Sequence, residues 1–222
     1  MRPFFALFAF LALLCPFAHA ELRMPKVFGN GMVLQKDKPV KLWGWAGADQ
    51  KILARIGDRS AQGKADGKGR WLLELKPMEA SGKGRQLVVT AGKESLTYED
   101  VLIGEVWICG GQSNMEWTLR STRDADLELE SADTPAIRFL RLPKVANLEP
   151  QDDFPVKSPE NPEGNWRRAV PGQVENCTGV GYYFARRLHR VLKVPVGLVD
   201  VSWGGTMAHH WCSKKTLRGI KE

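Results

Sequence analysis

Ser113 is the residue best placed for chemistry. An apolar run rich in β-branched residues, Val101 to Cys109, stops at Gly110-Gly111; the polar triplet Gln112-Ser113-Asn114 follows, then a helix-compatible stretch from Met115 to Leu119. A buried parallel strand delivers side chains to the carboxyl edge of a sheet in this way, and in open α/β sheets that edge is where ligands bind. A serine there lies over a helix N-terminus, whose free N–H groups favour a developing negative charge. Ser113 is therefore read as a nucleophile; the competing reading for a serine in this position is a simple N-cap.

A second strand end carries a similar signal. Val196 to Val201 is a short buried-type strand closed by Ser202-Trp203-Gly204-Gly205-Thr206. Acyl transfer needs a nucleophile and N–H donors aimed at the oxyanion, and glycines allow the backbone to come that close. The Gly-x-Ser-x-Gly elbow is absent, because Met115 stands where its second glycine would be, which tells against an ordinary α/β-hydrolase lipase.

The elements that must position these residues follow from periodicity. Val40 to Trp45, Lys51 to Ile56, Trp71 to Leu75 and Gln86 to Thr90 are short and rich in β-formers, and are separated by turn signals at Gly47, Gly57, Asp66-Gly67 and Ser81-Gly82. They predict a small antiparallel sandwich over residues 21–100. Its tryptophans, Trp43, Trp45 and Trp71, read either as core filling or as a platform for sugars. Beyond Ser113 a short helix is expected to end at Leu127 to Ser131, and Ala136 to Leu142 reads as a strand. Residues 143–172 hold six of the thirteen prolines and read as a long surface loop anchored by Trp166. From Thr178 the period is helical: Val180, Phe184, Leu188 and Val191 form an apolar stripe, and His189 falls with Arg186, Arg187 and Arg190 on a solvated face. That helix leading into Val196 to Val201 makes a βαβ unit of a parallel sheet.

Composition narrows the classes. Arg2, an apolar core from Phe4 to Leu14 and Ala18-His19-Ala20 read as a cleavable signal peptide over residues 1–20, too short for a permanent span. The expected location is secreted or periplasmic, with no membrane anchor after signal removal. Without residues 1–20 the formal charge falls from +7 to +6, and the lysines are scattered rather than gathered on one face. That pattern argues against a nucleic-acid partner. Cys109, Cys177 and Cys212 remain; no metal-site spacing and no disulfide framework is present, though Cys177 could pair with Cys212. No cofactor or metal is expected, and the oligomeric state is left open.

At this point the chain resembles the sialate O-acetylesterase-like (SASA) branch of the SGNH-type serine esterases. The resemblance rests on Gly104 to Trp107 running into Gly111-Gln112-Ser113-Asn114-Met115-Glu116-Trp117. Tyr183 to Arg186 with Leu188-His189, Val194 to Leu198 and Ser202 to Thr206 support it, as do Phe28 to Gln35 and Val40 to Trp45 in the N-terminal piece. It implies an all-β sandwich (21–100) followed by an incomplete three-layer α/β parallel-sheet domain (101–222) of SGNH/flavodoxin-like type. It also implies Ser113 as nucleophile, the N–H groups of Ser113 and of the Gly204-Gly205 turn as oxyanion donors, Gln112 and Asn114 beside them, and an O-acetylated sugar as substrate.

Two positions depart from the family pattern. Gly110 stands where a serine is usual, and His209-His210 precede Trp211 where an acidic residue is common. The base and its orienting acid come, by the resemblance, from an Asp-x-x-His segment, and a further oxyanion side chain from a Gln-Gly-Glu-type segment; the sequence contains neither. His209 and His210 are the nearby substitutes for the base, or else a surface pair. The expectation is the N-terminal part of a longer enzyme, with an exposed sheet edge and face. Three functions follow: a secreted sialate-type O-acetylesterase, an esterase of acetylated plant polysaccharide (xylan), or a catalytically silent sugar-binding remnant.

Overall fold

The computed structural model describes residues 21–155 and 164–220; the expected signal peptide lies outside the described residues. Seven strands come first: β1 (Val33–Gln35), β2 (Val40–Trp45), β3 (Lys51–Ile56), β4 (Arg59–Lys64), β5 (Arg70–Leu75), β6 (Ser81–Ala91) and β7 (Glu94–Cys109). Then follow α1 (Ser113–Glu116), α2 (Ala125–Ser131), β8 (Thr134–Arg141), β9 (Trp166–Ala169), α3 (Gly179–Leu192), β10 (Val196–Asp200) and α4 (Lys214–Arg218). The architecture is mostly β. One mixed sheet runs β4-β3-β6-β7-β10-β8-β9 with β1 added to β7, and β2 pairs with β5 in a second, two-stranded sheet.

Alternation builds the N-terminal part. In β3, Ile52, Ala54 and Ile56 point inward while Lys51 and Arg55 face water. They meet Leu42, Trp71, Leu73 and Leu75 of the β2–β5 pair, and Leu87 and Val89 of β6, in one apolar cluster. A second cluster gathers Cys109, Ile137, Phe139, Tyr182, Val196 and Leu198. Trp71 is thus core, whereas Trp43 stays 41% exposed. β4, with its polar Arg59–Lys64 sequence, carries no such signal and is an addition to the expected strands.

β7 connects the two clusters. Its first half pairs antiparallel with β6, and its second half pairs parallel with β10. Between them Asp100 adopts φ 55°, a left-handed conformation that aspartate tolerates better than most residues, where the β6 register also shifts. The Asp100 carboxylate accepts from Arg138 Nη1 of β8 at 2.7 Å and from Arg168 Nη2 of β9 at 2.9 Å. Arg138 Nη1 lies 3.3 Å from the Gly31 carbonyl as well, so one buried guanidinium ties β8 to β7 and to the N-terminal segment. Further along β7, the Pro195 carbonyl accepts from Glu105 N–H, and a Cβ at Gly104 would meet that oxygen at 2.1 Å. Only glycine lets β10 start there.

Three expectations are corrected. The proline-rich segment is not all loop: Trp166–Ala169 forms β9, antiparallel to β8, and Trp166 Nε1 donates to the Val27 carbonyl at 2.8 Å. The helix arrives where expected, N-capped by Thr178 and closed by Lys193 at φ 58°. Its buried face, however, is Gly179, Gly181, Tyr182 and Ala185, whereas Val180, Phe184 and Val191 are exposed. Small residues set how closely α3 approaches: a Cβ at Gly181 would meet Cys109 Sγ at 3.0 Å and Leu198 at 3.3 Å. His189 is not merely solvated either, since its Nδ1 lies 2.6 Å from the Val194 carbonyl and pins the turn into β10.

The Asp100 junction makes a stability prediction. Arg138→Met leaves a partly buried carboxylate short of its main partner and is expected to cost about 3–5 kcal/mol in urea unfolding. Burial alone would raise the Asp100 carboxyl, but the two guanidinium groups outweigh it and hold it below the ordinary 3.8. Its contribution is therefore present above that value and lost as pH falls through the lower folded one. Unfolding followed between pH 5 and pH 2 is expected to show a shallower acid limb in Asp100→Asn than in the parent.

Candidate active site

The two strand ends meet. β10 runs parallel to β7 with Asp200 opposite Cys109, and the pairing continues past both strands: Val201 N–H donates to the Cys109 carbonyl at 3.1 Å and Trp203 N–H to the Gly111 carbonyl at 2.9 Å. Gly111 takes φ 141°, a conformation that favours glycine, and turns the chain into α1. Gln112 occupies the N-cap position and Ser113 is the first helical residue, so the N-cap reading of Ser113 is set aside. Ser113, Gln112 and Asn114 are all exposed. A Cβ at Gly204 would lie 3.5 Å from Ser113 Oγ, which puts the serine hydroxyl against the Gly204 backbone. Gly205, at φ 79°, completes the corner.

Glu116, unmarked by the sequence reading, holds this corner. Its Oε2 accepts the Gly204 N–H, and its Oε1 pairs with Lys144 and with Arg141 Nη2 at 3.5 Å. A Cβ at Gly204 would stand 2.6 Å from that carboxylate, so a larger residue there would have to push the end of the Glu116 side chain aside. One of the two expected oxyanion donors is thus engaged with a carboxylate in this state. Asp200 shapes the loop from the other side: its buried Oδ1 accepts from Ser202 N–H at 2.9 Å and Ser202 Oγ at 2.6 Å. The signals that could have found these residues were weak. Glu116 lies one helical turn after Ser113, and Asp200 is an acid two residues before a serine, the spacing of an Asx-turn.

The His209 and His210 rings lie 4.1 Å apart, tilted by 56°, in an exposed 3-10 turn (Ala208–Trp211), and His210 Nδ1 accepts from Met207 N–H at 2.9 Å. Neither forms a hydrogen bond to Ser113, and among the described residues no histidine or carboxylate does. Gly110 is not sterically constrained, because a Cβ there would make only ordinary contacts, at 3.7 Å to Val201 and 3.8 Å to Trp211. A serine would fit. Cys109, Cys177 and Cys212 are all free, so the optional Cys177–Cys212 bond is absent; Cys177 is buried while Cys212 is exposed. Burial, then the nearby Asp200, pushes the Cys109 thiol up to about 12, and burial raises Cys177 as well. Among the described residues no group of His, Cys, Asp and Glu is arranged to hold a metal ion.

The mixed sheet carries a serine on a strand-to-helix corner with a glycine turn beside it. The chain belongs to the SASA family, described as carbohydrate esterase, sialic acid-specific acetylesterase, whose profile matches residues 103–219. It is 29% identical over 211 residues to the sialate O-acetylesterase of Mus musculus and 30% identical over 211 residues to that of Rattus norvegicus; each alignment covers 88% of this chain and 38% of the relative. A crystal structure of a carbohydrate acetylesterase from Xanthomonas citri superposes with a TM-score of 0.82 at 32% identity, over 89% of this chain and 44% of that one. The chain thus spans about two fifths of the length of the relatives it matches.

Two outcomes test the geometry. Gly204→Ala must displace Glu116 and lose its charge-assisted hydrogen bond, so urea unfolding is expected to show a loss of about 1–3 kcal/mol with secondary structure retained. Among the described cysteines, a thiol reagent at neutral pH is expected to label Cys212 in the native chain and to reach Cys109 and Cys177 only after unfolding, as read by peptide mass.

Proposed function

We propose that this chain carries the nucleophile-bearing part of a secreted or periplasmic carbohydrate O-acetylesterase that acts through an acetyl-enzyme on Ser113. The observation that carries the reading is the Ser113 hydroxyl against the Gly204 backbone at the strand ends, in a chain of the SASA family. The Ser113 oxygen adds to the acetyl carbonyl carbon while a base takes its proton. The carbonyl electron pair moves to oxygen and returns as the sugar oxygen leaves with a proton. Water then repeats the addition and releases acetate, restoring the hydroxyl. The N–H of Ser113, with those of Gly204 and Gly205, faces the developing oxyanion. Gly204 reaches it when Glu116 gives up its bond. Gln112 and Asn114 contact the sugar.

We read the chain as a β-sandwich part over residues 21–100 followed by the first portion of a parallel-sheet esterase part. The relatives named sialate O-acetylesterase support an O-acetylated sugar as substrate, sialic acid first; acetylated xylan is the alternative of the same chemistry. One observation favours a binding-only reading: no base is hydrogen-bonded to Ser113 among the described residues.

A fluorophosphonate probe separates these readings. Labelling at Ser113 that disappears in Ser113→Ala supports the nucleophile, whereas an unlabelled, folded chain supports a binder. For a labelled chain, acetate release from O-acetylated sialic acid against acetylated xylan assigns the sugar, with Ser113→Ala expected to lower either rate by at least 1000-fold.

A further inference from the structure

A cleft of about 660 Å³ lies between the N-terminal segment and the loop that follows β8, within the usual size range of small-molecule sites. Trp43 forms one wall, its ring held by an edge-on contact with Phe28 at 4.8 Å and 72°. Leu142, Pro143 and Phe154 supply further apolar surface, and Asn147, Gln151 and Asp152 supply polar groups. A fixed, half-exposed indole beside amide and carboxylate groups suits a pyranose or furanose ring, which presents C–H faces to an aromatic and hydroxyls to polar side chains.

We propose that this cleft is a binding subsite for an uncharged sugar chain, separate from the Ser113 corner. Charge selects the ligand. Lys26, the one cation among the described residues lining the cleft, is held by Asp153 at 3.3 Å and by the Phe154 carbonyl at 2.8 Å. Asp152 makes no ion pair among the described residues, so the described lining carries one net negative charge, which disfavours an anionic sugar. The loop also joins the cleft to the strand ends. Lys144, between the lining residues Pro143 and Val145, pairs with Glu116, which holds Gly204.

The inference does not rest on Ser113 acting as a nucleophile, and binding without turnover tests it. The probes are xylohexaose and cellohexaose as neutral chains and 3′-sialyllactose as the anionic comparator, read by tryptophan fluorescence and calorimetry on the whole chain. Expected are binding of a neutral hexaose, at least 10-fold weakening in Trp43→Ala, unchanged affinity in Ser113→Ala, and at least 10-fold weaker binding of sialyllactose. Gln151→Ala and Asp152→Lys, both on an exposed loop, guard against misfolding of the tryptophan variant: the first is expected to weaken hexaose binding at least 3-fold, and the second to narrow the gap to sialyllactose. Failure of both hexaoses to bind, affinity unaltered in Trp43→Ala and Gln151→Ala, or a preference for sialyllactose would each overturn the subsite. A chain that binds hexaose yet ignores a fluorophosphonate retains this inference while losing the esterase reading.

Discussion

Parallel pairing of β10 with β7 does more than close a sheet, because the ladder carries on beyond both strands. Two backbone bonds, Val201 to Cys109 and Trp203 to Gly111, fix the residue-by-residue offset of two loops that are otherwise free to wander. A slip of one residue would turn each side chain to the opposite face and carry Gly204 away from Ser113. The offset is set at the other end, where the Pro195 carbonyl occupies the space a Gly104 side chain would need. A steric condition at the start of β10 thus determines which backbone stands beside a hydroxyl at its far end.

Charge finishes what the register begins. Glu116 touches the Gly204 loop, the end of β8 and the loop that follows it, through Gly204, Arg141 and Lys144. A carboxylate holding the Gly204 N–H keeps the corner shaped, and that N–H is free only when Glu116 moves. On the far side, Asp100 does comparable work at lower positional cost, for there the chain already bends and an aspartate suits the bend.

The parts of this arrangement that are local could be read directly from the chain. β2 and β3 alternate cleanly, and the apolar run into Gly110-Gly111 predicts the strand, the corner and the serine's exposure. The signals that failed are those where the partner is distant. The stripe Val180, Phe184 and Val191 is apolar, yet periodicity cannot say which side of a helix finds a sheet. The glycine and alanine face won because it approaches Leu198 and Cys109 closely. Arg138 lies 38 residues from Asp100 and Glu116 lies 88 from Gly204, so no window of sequence shows either pair. β9 was hidden by prolines on both sides of four residues.

The exposed stripe has a physical partner nonetheless. Phe184 meets Trp107 of β7 edge-on at 4.9 Å, and Ile108 beside it is 73% exposed. Trp107 and Ile108 point to opposite faces of β7, and on the edge away from β10 no strand pairs with Glu105–Cys109 among the described residues. At the point where β1 turns away, Gln35 stands in for a strand: its Oε1 accepts Val106 N–H at 3.0 Å and its Nε2 donates to Glu105 at 3.3 Å. One side chain caps one edge amide, which is how a protein blunts an edge without covering it. Past that cap Trp107 and Phe184 pack on each other while staying exposed, so the same β7 that presents Ser113 at its end also carries open apolar surface.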